Sequence, residues 1–197
     1  MIASRPHPRW LRQVPNALSL ARLLAVPVLA AFAALGRETA FTWVLIPALL
    51  SDIADGLIAR LYGLESKVGA MLDSIADTLL MFVSLYGLWA FFPELVKGHA
   101  WLIGTAVGLW LLEDLLALAR YGRLSSFHTY LSKIVANLLG FFIGWLFLFG
   151  FEPWMLYVAM GASIVASLEE IALVARLPRW RADVRGLWWV WKEGRGR

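Results

Sequence analysis

Six mostly apolar stretches organise the sequence, at about 15–35, 40–61, 69–92, 100–119, 131–150 and 153–175. Each is close to the ~20 residues that carry a helix across the hydrocarbon core of a bilayer. In lipid the backbone must satisfy its own hydrogen bonds, and apolar runs of this length do so as helices. The expected fold is therefore all-α, a polytopic integral membrane protein with six transmembrane helices. Composition agrees: 60% of the 197 residues are hydrophobic and 16% are charged, against roughly 25% charged in soluble domains. A soluble bundle would lack the polar surface to cover such runs. Connections such as Gly36-Arg37-Glu38-Thr39 and Phe92-Pro93-Glu94 leave no room for a second domain. Residues 1–197 read as one transmembrane domain with a basic amphipathic tail from about 176 to 197.

Lys and Arg set the orientation. With six spans, both termini share a side. That side holds Arg5, Arg9, Arg12, Arg60, Lys67, Arg120, Arg123, Lys133 and the basic tail, and the other holds only Arg37 and Lys97. Basic loops stay inside, so both termini are expected in the cytoplasm, with the protein in a bacterial-type inner or plasma membrane. The basic start followed by an apolar run and Ala31-Phe32-Ala33 also fits a signal peptide, but the length of the run and the spans beyond it favour a retained helix. The tryptophan-rich tail reads as an anchor on anionic headgroups. The Gly104/Gly108 and Gly140/Gly144 pairs allow close helix packing, either inside the bundle or in a homodimer, which is the expected assembly. Partners are membrane lipids, with no nucleic acid expected. The chain has no cysteine, so a thiolate nucleophile or metal site is excluded and any metal is held by oxygen or His.

Four of the six aspartates fall in the stretch DIADGLIARLYGLESKVGAMLDSIAD, residues 52–77. Ionisable groups at membrane depth cost several kcal/mol unless paired, which makes them functional candidates. Asp52, Asp55 and Ala59 fall on one stripe of the second span, and Gly69, Asp73 and Asp77 on one stripe of the third. The eight residues Leu61 to Val68 join these spans as an antiparallel pair, so the two stripes can face each other near the cytoplasmic surface. Four facing carboxylates repel unless protonated or metallated. Two hard divalent ions, Mg²⁺ or Mn²⁺, suit such oxygen donors and could grip a diphosphate. Arg60 adds a permanent positive charge suited to phosphate. A cation or proton relay in a transporter is an alternative reading of the same acids, and prenyltransferases also hold diphosphate on aspartate-rich motifs.

The stretch resembles the signature of the CDP-alcohol phosphotransferase family, D-x2-D-G-x2-A-R-x8-G-x3-D-x3-D. Asp52, Asp55, Gly56, Ala59, Arg60, Gly69, Asp73 and Asp77 match it with no departure. The resemblance implies that Asp52, Asp55, Asp73 and Asp77 hold the metals and that Asp77 is also the general base. Asp52, Gly56, Ala59, Arg60 and Gly69 would form the CDP and diphosphate site. The implied reaction is attack of an acceptor hydroxyl on the β-phosphorus of a CDP-linked alcohol, releasing CMP.

The opening Pro15-Asn16-Ala17-Leu18-Ser19-Leu20-Ala21-Arg22 resembles the CDP-diacylglycerol-dependent branch, notably phosphatidylglycerophosphate synthases. That implies CDP-diacylglycerol as donor and a small polar alcohol, first glycerol 3-phosphate, as acceptor. Inositol phosphate, inositol, serine or another lipid are alternatives, as is a CDP-choline or CDP-ethanolamine enzyme acting on diacylglycerol. Arg22 either snorkels to the headgroups or binds a phosphate. Glu113 and Arg120 fit a pattern in which phosphatidylglycerophosphate synthases carry Arg-Glu and a second Arg. Leu112, however, stands where the first Arg would be, and a buried phosphate needs its cation. Arg123 and Lys133 are further headgroup candidates, and His128 reads as a hydrogen-bonded loop residue.

Overall fold

The computed structural model describes residues 14–62, 67–122, 129–177, 184 and 186–195. Within the helices, the side chains of 14–15, 53, 55–62, 67–68, 70 and 193–195 lie outside the description. The chain divides into two compact units, residues 1–96 and 97–197.

The first unit contains α1 (Val14–Ala34), α2 (Glu38–Tyr62) and α3 (Lys67–Phe91). Each matches an expected span to within a few residues. Helix α1 packs along both α2 and α3, which touch each other much less. The sequence pointed to a facing α2–α3 pair; their acidic stripes do meet, with Asp52, Asp73 and Asp77 within 4.8 Å of one another, and α1 is the neighbour that packs along both. Two acidic stripes repel, and the third helix brings the positive charge that lets them approach. Leu29, Phe41, Leu45, Leu80 and Leu88 form the buried interior. The Phe41 and Phe91 rings meet edge to face, 5.3 Å apart. At Gly87 a Cβ would collide with the Phe41 ring, so glycine is what allows that close approach.

The short α4 (Pro93–Gly98) leads into the second unit, with α5 (Ala100–Tyr121), α6 (Tyr130–Phe149), α7 (Pro153–Arg176) and α8 (Leu187–Arg195). Helix α7 is the hub, packed against α5, α6 and α8. Local chemistry sets the ends. The Thr129 side chain accepts from the Ser132 N–H at 3.0 Å and caps α6. Gly122, in the left-handed region at φ 67°, stops α5. Pro153 starts α7, where no N–H is needed.

Among the described residues, five helices are long and apolar enough to cross a membrane, within α1, α3, α5, α6 and α7. The sequence pointed to six. Helix α2 is as long but carries Asp52, Asp55 and Arg60 in its final turns. Outward faces are apolar, with Leu24, Trp43 and Phe149 well exposed, as suits helices solvated by lipid tails. In the second unit, Trp101 and Trp154 are exposed at the starts of α5 and α7, in the manner of an interfacial aromatic belt. A Cβ at Gly104 or Gly108 would meet nothing, so that pair makes no close packing within the described chain.

Candidate active site

Three of the four aspartates converge in the first unit. Asp73 and Asp77 are one turn apart on α3, and Asp52 comes from the second half of α2. One carboxylate oxygen from each lies within 4.8 Å of the others. All three are partly exposed, with side-chain exposures of 45% for Asp52, 38% for Asp73 and 44% for Asp77. A solute could therefore reach them.

Arg22 of α1 is their counter-charge. Its Nη1 lies 3.2 Å from Asp52 Oδ1 and 3.1 Å from Asp73 Oδ1, and it donates to Asp77 Oδ1 as well. The residue is only 1% exposed. Arg22, a candidate for the headgroups or for a phosphate, lies buried against the carboxylates rather than extended to the surface. The reason is electrostatic: a guanidinium inside an apolar unit takes the nearest anions. Ser19, one turn earlier on α1, donates its hydroxyl to Asp73 Oδ1 at 3.2 Å. Sequence reasoning passed over Ser19. Its signal was the i, i+3 spacing with Arg22, which puts both polar groups on one face of an apolar helix.

The cluster's donor set fits a divalent cation. Its ligand atoms are hard carboxylate oxygens, the type that Mg²⁺ and Mn²⁺ prefer. Three carboxylates face one guanidinium, so their ionisation would leave an excess of negative charge that such an ion can neutralise. Asp55, Gly56, Ala59 and Arg60 belong to α2, but their side-chain placement lies outside the described residues. Gly69 is in the first turn of α3 and is partly buried.

The expected acceptor residues belong to the second unit. Glu113 is buried on α5, where it bonds to the Ser167 side chain of α7 and lies near Glu170. It therefore faces α7, while Leu112 beside it is 42% exposed. Arg120 is exposed in the last turn of α5, and Lys133 is exposed in the first turn of α6. Arg123 and His128 lie outside the described residues.

Residues 12–165 match the family model described as CDP-alcohol phosphatidyltransferase. A Mycobacterium tuberculosis (strain ATCC 25618 / H37Rv) protein named "Putative cardiolipin synthase" is 31% identical over 187 residues, covering 84% of this chain and 86% of the relative. The CDP-diacylglycerol–glycerol-3-phosphate 3-phosphatidyltransferase of Cereibacter sphaeroides is 40% identical over 76 residues, covering 36% of this chain and 34% of its own length. The CDP-diacylglycerol–inositol 3-phosphatidyltransferase of Saccharomyces cerevisiae is 33% identical over 98 residues, covering 47% and 43%.

Proposed function

The chain belongs to the CDP-alcohol phosphatidyltransferase family, and on that premise we propose that it transfers a phosphatidyl group from CDP-diacylglycerol to a polar alcohol and releases CMP. The observation that carries this reading is the convergence of Asp52, Asp73 and Asp77 within 4.8 Å inside the signature that the family shares. Asp55 completes the ligand set, and the four carboxylates would hold two ions, Mg²⁺ or Mn²⁺. Bound there, such ions neutralise a diphosphate and make its β-phosphorus more electrophilic.

The remaining steps fall to the chain's own groups. Asp77 takes the proton of the acceptor hydroxyl on a carboxylate oxygen. The oxygen freed of its proton attacks the β-phosphorus, the bond from phosphorus to the CMP oxygen breaks, and CMP departs with the electron pair. Gly56, Ala59 and Gly69 keep the CDP site free of bulk, and Arg60 offers a positive charge to the diphosphate. Arg22 and Ser19 hold Asp73 in place and fix the spacing of the carboxylates. The six-span plan, with α2 as the sixth, puts this site at the cytoplasmic face, where the water-soluble product CMP can leave. Residues 1–197 act as one catalytic domain, working as a homodimer in a bacterial-type inner membrane.

Glycerol 3-phosphate is the first acceptor, as the name of the Cereibacter relative suggests for its own chain. Arg120, Arg123 and Lys133 are its candidate phosphate partners, and Glu113 would act by fixing α5 against α7. A second reading is favoured by a specific observation. A match that spans most of this chain is to a mycobacterial protein with a cardiolipin synthase name, and a cardiolipin product requires the accepting hydroxyl to belong to another phospholipid. Leu112, in place of an arginine, suits an acceptor with no terminal phosphate to bind. The test is purified protein with labelled CDP-diacylglycerol, Mg²⁺ or Mn²⁺, and glycerol 3-phosphate, phosphatidylglycerol, inositol phosphate, inositol or serine in turn. CMP and one labelled lipid should appear together, and the lipid identifies the acceptor. No CMP with any acceptor, beside ion flux in liposomes, would establish a transporter instead.

A further inference from the structure

The tail lies beyond the matched part of the chain, which ends at residue 165, and the chemistry above makes no use of it. Three apolar spans of the second unit end around it. Tyr121 closes α5, and its hydroxyl donates to the carbonyls of Val174 and Leu177 at 3.0 and 2.7 Å. Tyr130 opens α6 with its ring centre 5.9 Å from that of Trp189 on α8. Arg176 closes α7. The ends of membrane-crossing helices mark the boundary between lipid and water, so α8 lies at that boundary.

Helix α8 is fastened there on one side. Leu187 and Val190 pack on the cluster of Ala117, Leu173, Val174, Leu177 and Val184. Glu169 of α7 accepts the Leu187 N–H at 3.0 Å, placing a carboxylate at the positive end of α8. Gly186, at φ 147°, makes the turn into the helix, and a Cβ there would crowd Glu169 at 2.9 Å.

On another flank, Trp188 and Trp191 are 57% and 43% exposed, and the Lys192 ammonium lies 5.4 Å over the Trp188 ring. A cleft of about 550 Å³ opens between α7 and α8, lined by the apolar Leu131, Val165, Ala172, Leu187, Trp188 and Trp191 and by the charged Glu169 and Arg176. From residue 176 onward the sequence has seven Lys and Arg against Asp183 and Glu193. Tryptophans at the end of a span favour the headgroup level, and basic residues beside them favour anionic lipid.

We infer that α8 lies flat in the membrane interface, docked on an anionic phospholipid surface. Trp188 and Trp191 sit among the headgroups, an acyl chain enters the cleft, and the basic residues of the tail meet lipid phosphates. The absence of cysteine makes the test clean. A nitroxide is placed singly at position 188 or 191, leaving the other tryptophan intact. The full chain is reconstituted in nanodiscs of phosphatidylcholine, with or without phosphatidylglycerol. At both positions, collisions with oxygen should exceed those with a water-soluble nickel complex severalfold, relative to free label in buffer. That excess should grow with phosphatidylglycerol, and Lys192→Glu should reduce the growth. Nickel-dominated collisions at both positions in both lipids overturn the interfacial placement. An excess indifferent to phosphatidylglycerol overturns the anionic partner.

Discussion

The least expected side chain is Arg22, because a single Nη1 serves three carboxylates. Breaking a fully buried ion pair costs ~3–5 kcal/mol; these carboxylates are partly exposed, so the loss here is smaller. Arg22→Met should lower the melting temperature in chelator by several degrees, and Mg²⁺ or Mn²⁺ should restore more of it than in the parent. A calorimetric scan with and without chelator checks this, and equal midpoints for the two proteins would count against Arg22 as the counter-charge. Asp77→Asn keeps an oxygen for a cation but cannot take a proton. CMP release should fall by about 10²–10⁴-fold, the usual worth of a general base, while most Mn²⁺ binding survives. Near-normal turnover would sink the assignment. The acids were legible in the sequence because charge in an apolar run is conspicuous. Their pairing with Arg22 and Ser19 was not, because 51 residues separate Arg22 from Asp73 and only the docking of α1 brings them together.

At the level of helices, the long elements were legible because bilayer thickness dictates their length, and their ends agree with the apolar runs. Short α4 left no comparable mark, since six residues are too few for an apolar period to stand out, and α8, nine residues long, was legible only as part of a basic amphipathic tail. Nor could spacing within α2 and α3 reveal that α1 mediates between them, because the signals for helix choice are local and the neighbours are not. The close approach of α2 and α3 at Gly87 is testable. Gly87→Ala puts a methyl against the buried Phe41 ring, and overpacking of this kind costs about 1–3 kcal/mol. The variant should melt several degrees lower, with Phe41→Leu in the same chain recovering part of the loss. An unchanged midpoint for Gly87→Ala would mean that the ring moves aside freely.

For the molecule as a whole, the basic residues argue for both termini in the cytoplasm. Reporter domains fused before residue 1 and after residue 197 should both be active in the cytoplasm and silent when they require export. Opposite signals from the two ends would remove α2 from the list of spans and the active site from its proposed face. The buried Arg22 has a further consequence for how the protein is made. It lies about 12 Å along α1 from the first residue of the helix, and α1 leaves the ribosome before α2 and α3. Its carboxylate partners do not yet exist when the first helix meets the insertion machinery. Until Asp77 has emerged, α1 alone in lipid would carry an unpaired guanidinium, at a cost of about 2.5–3.5 kcal/mol that its later partners offset.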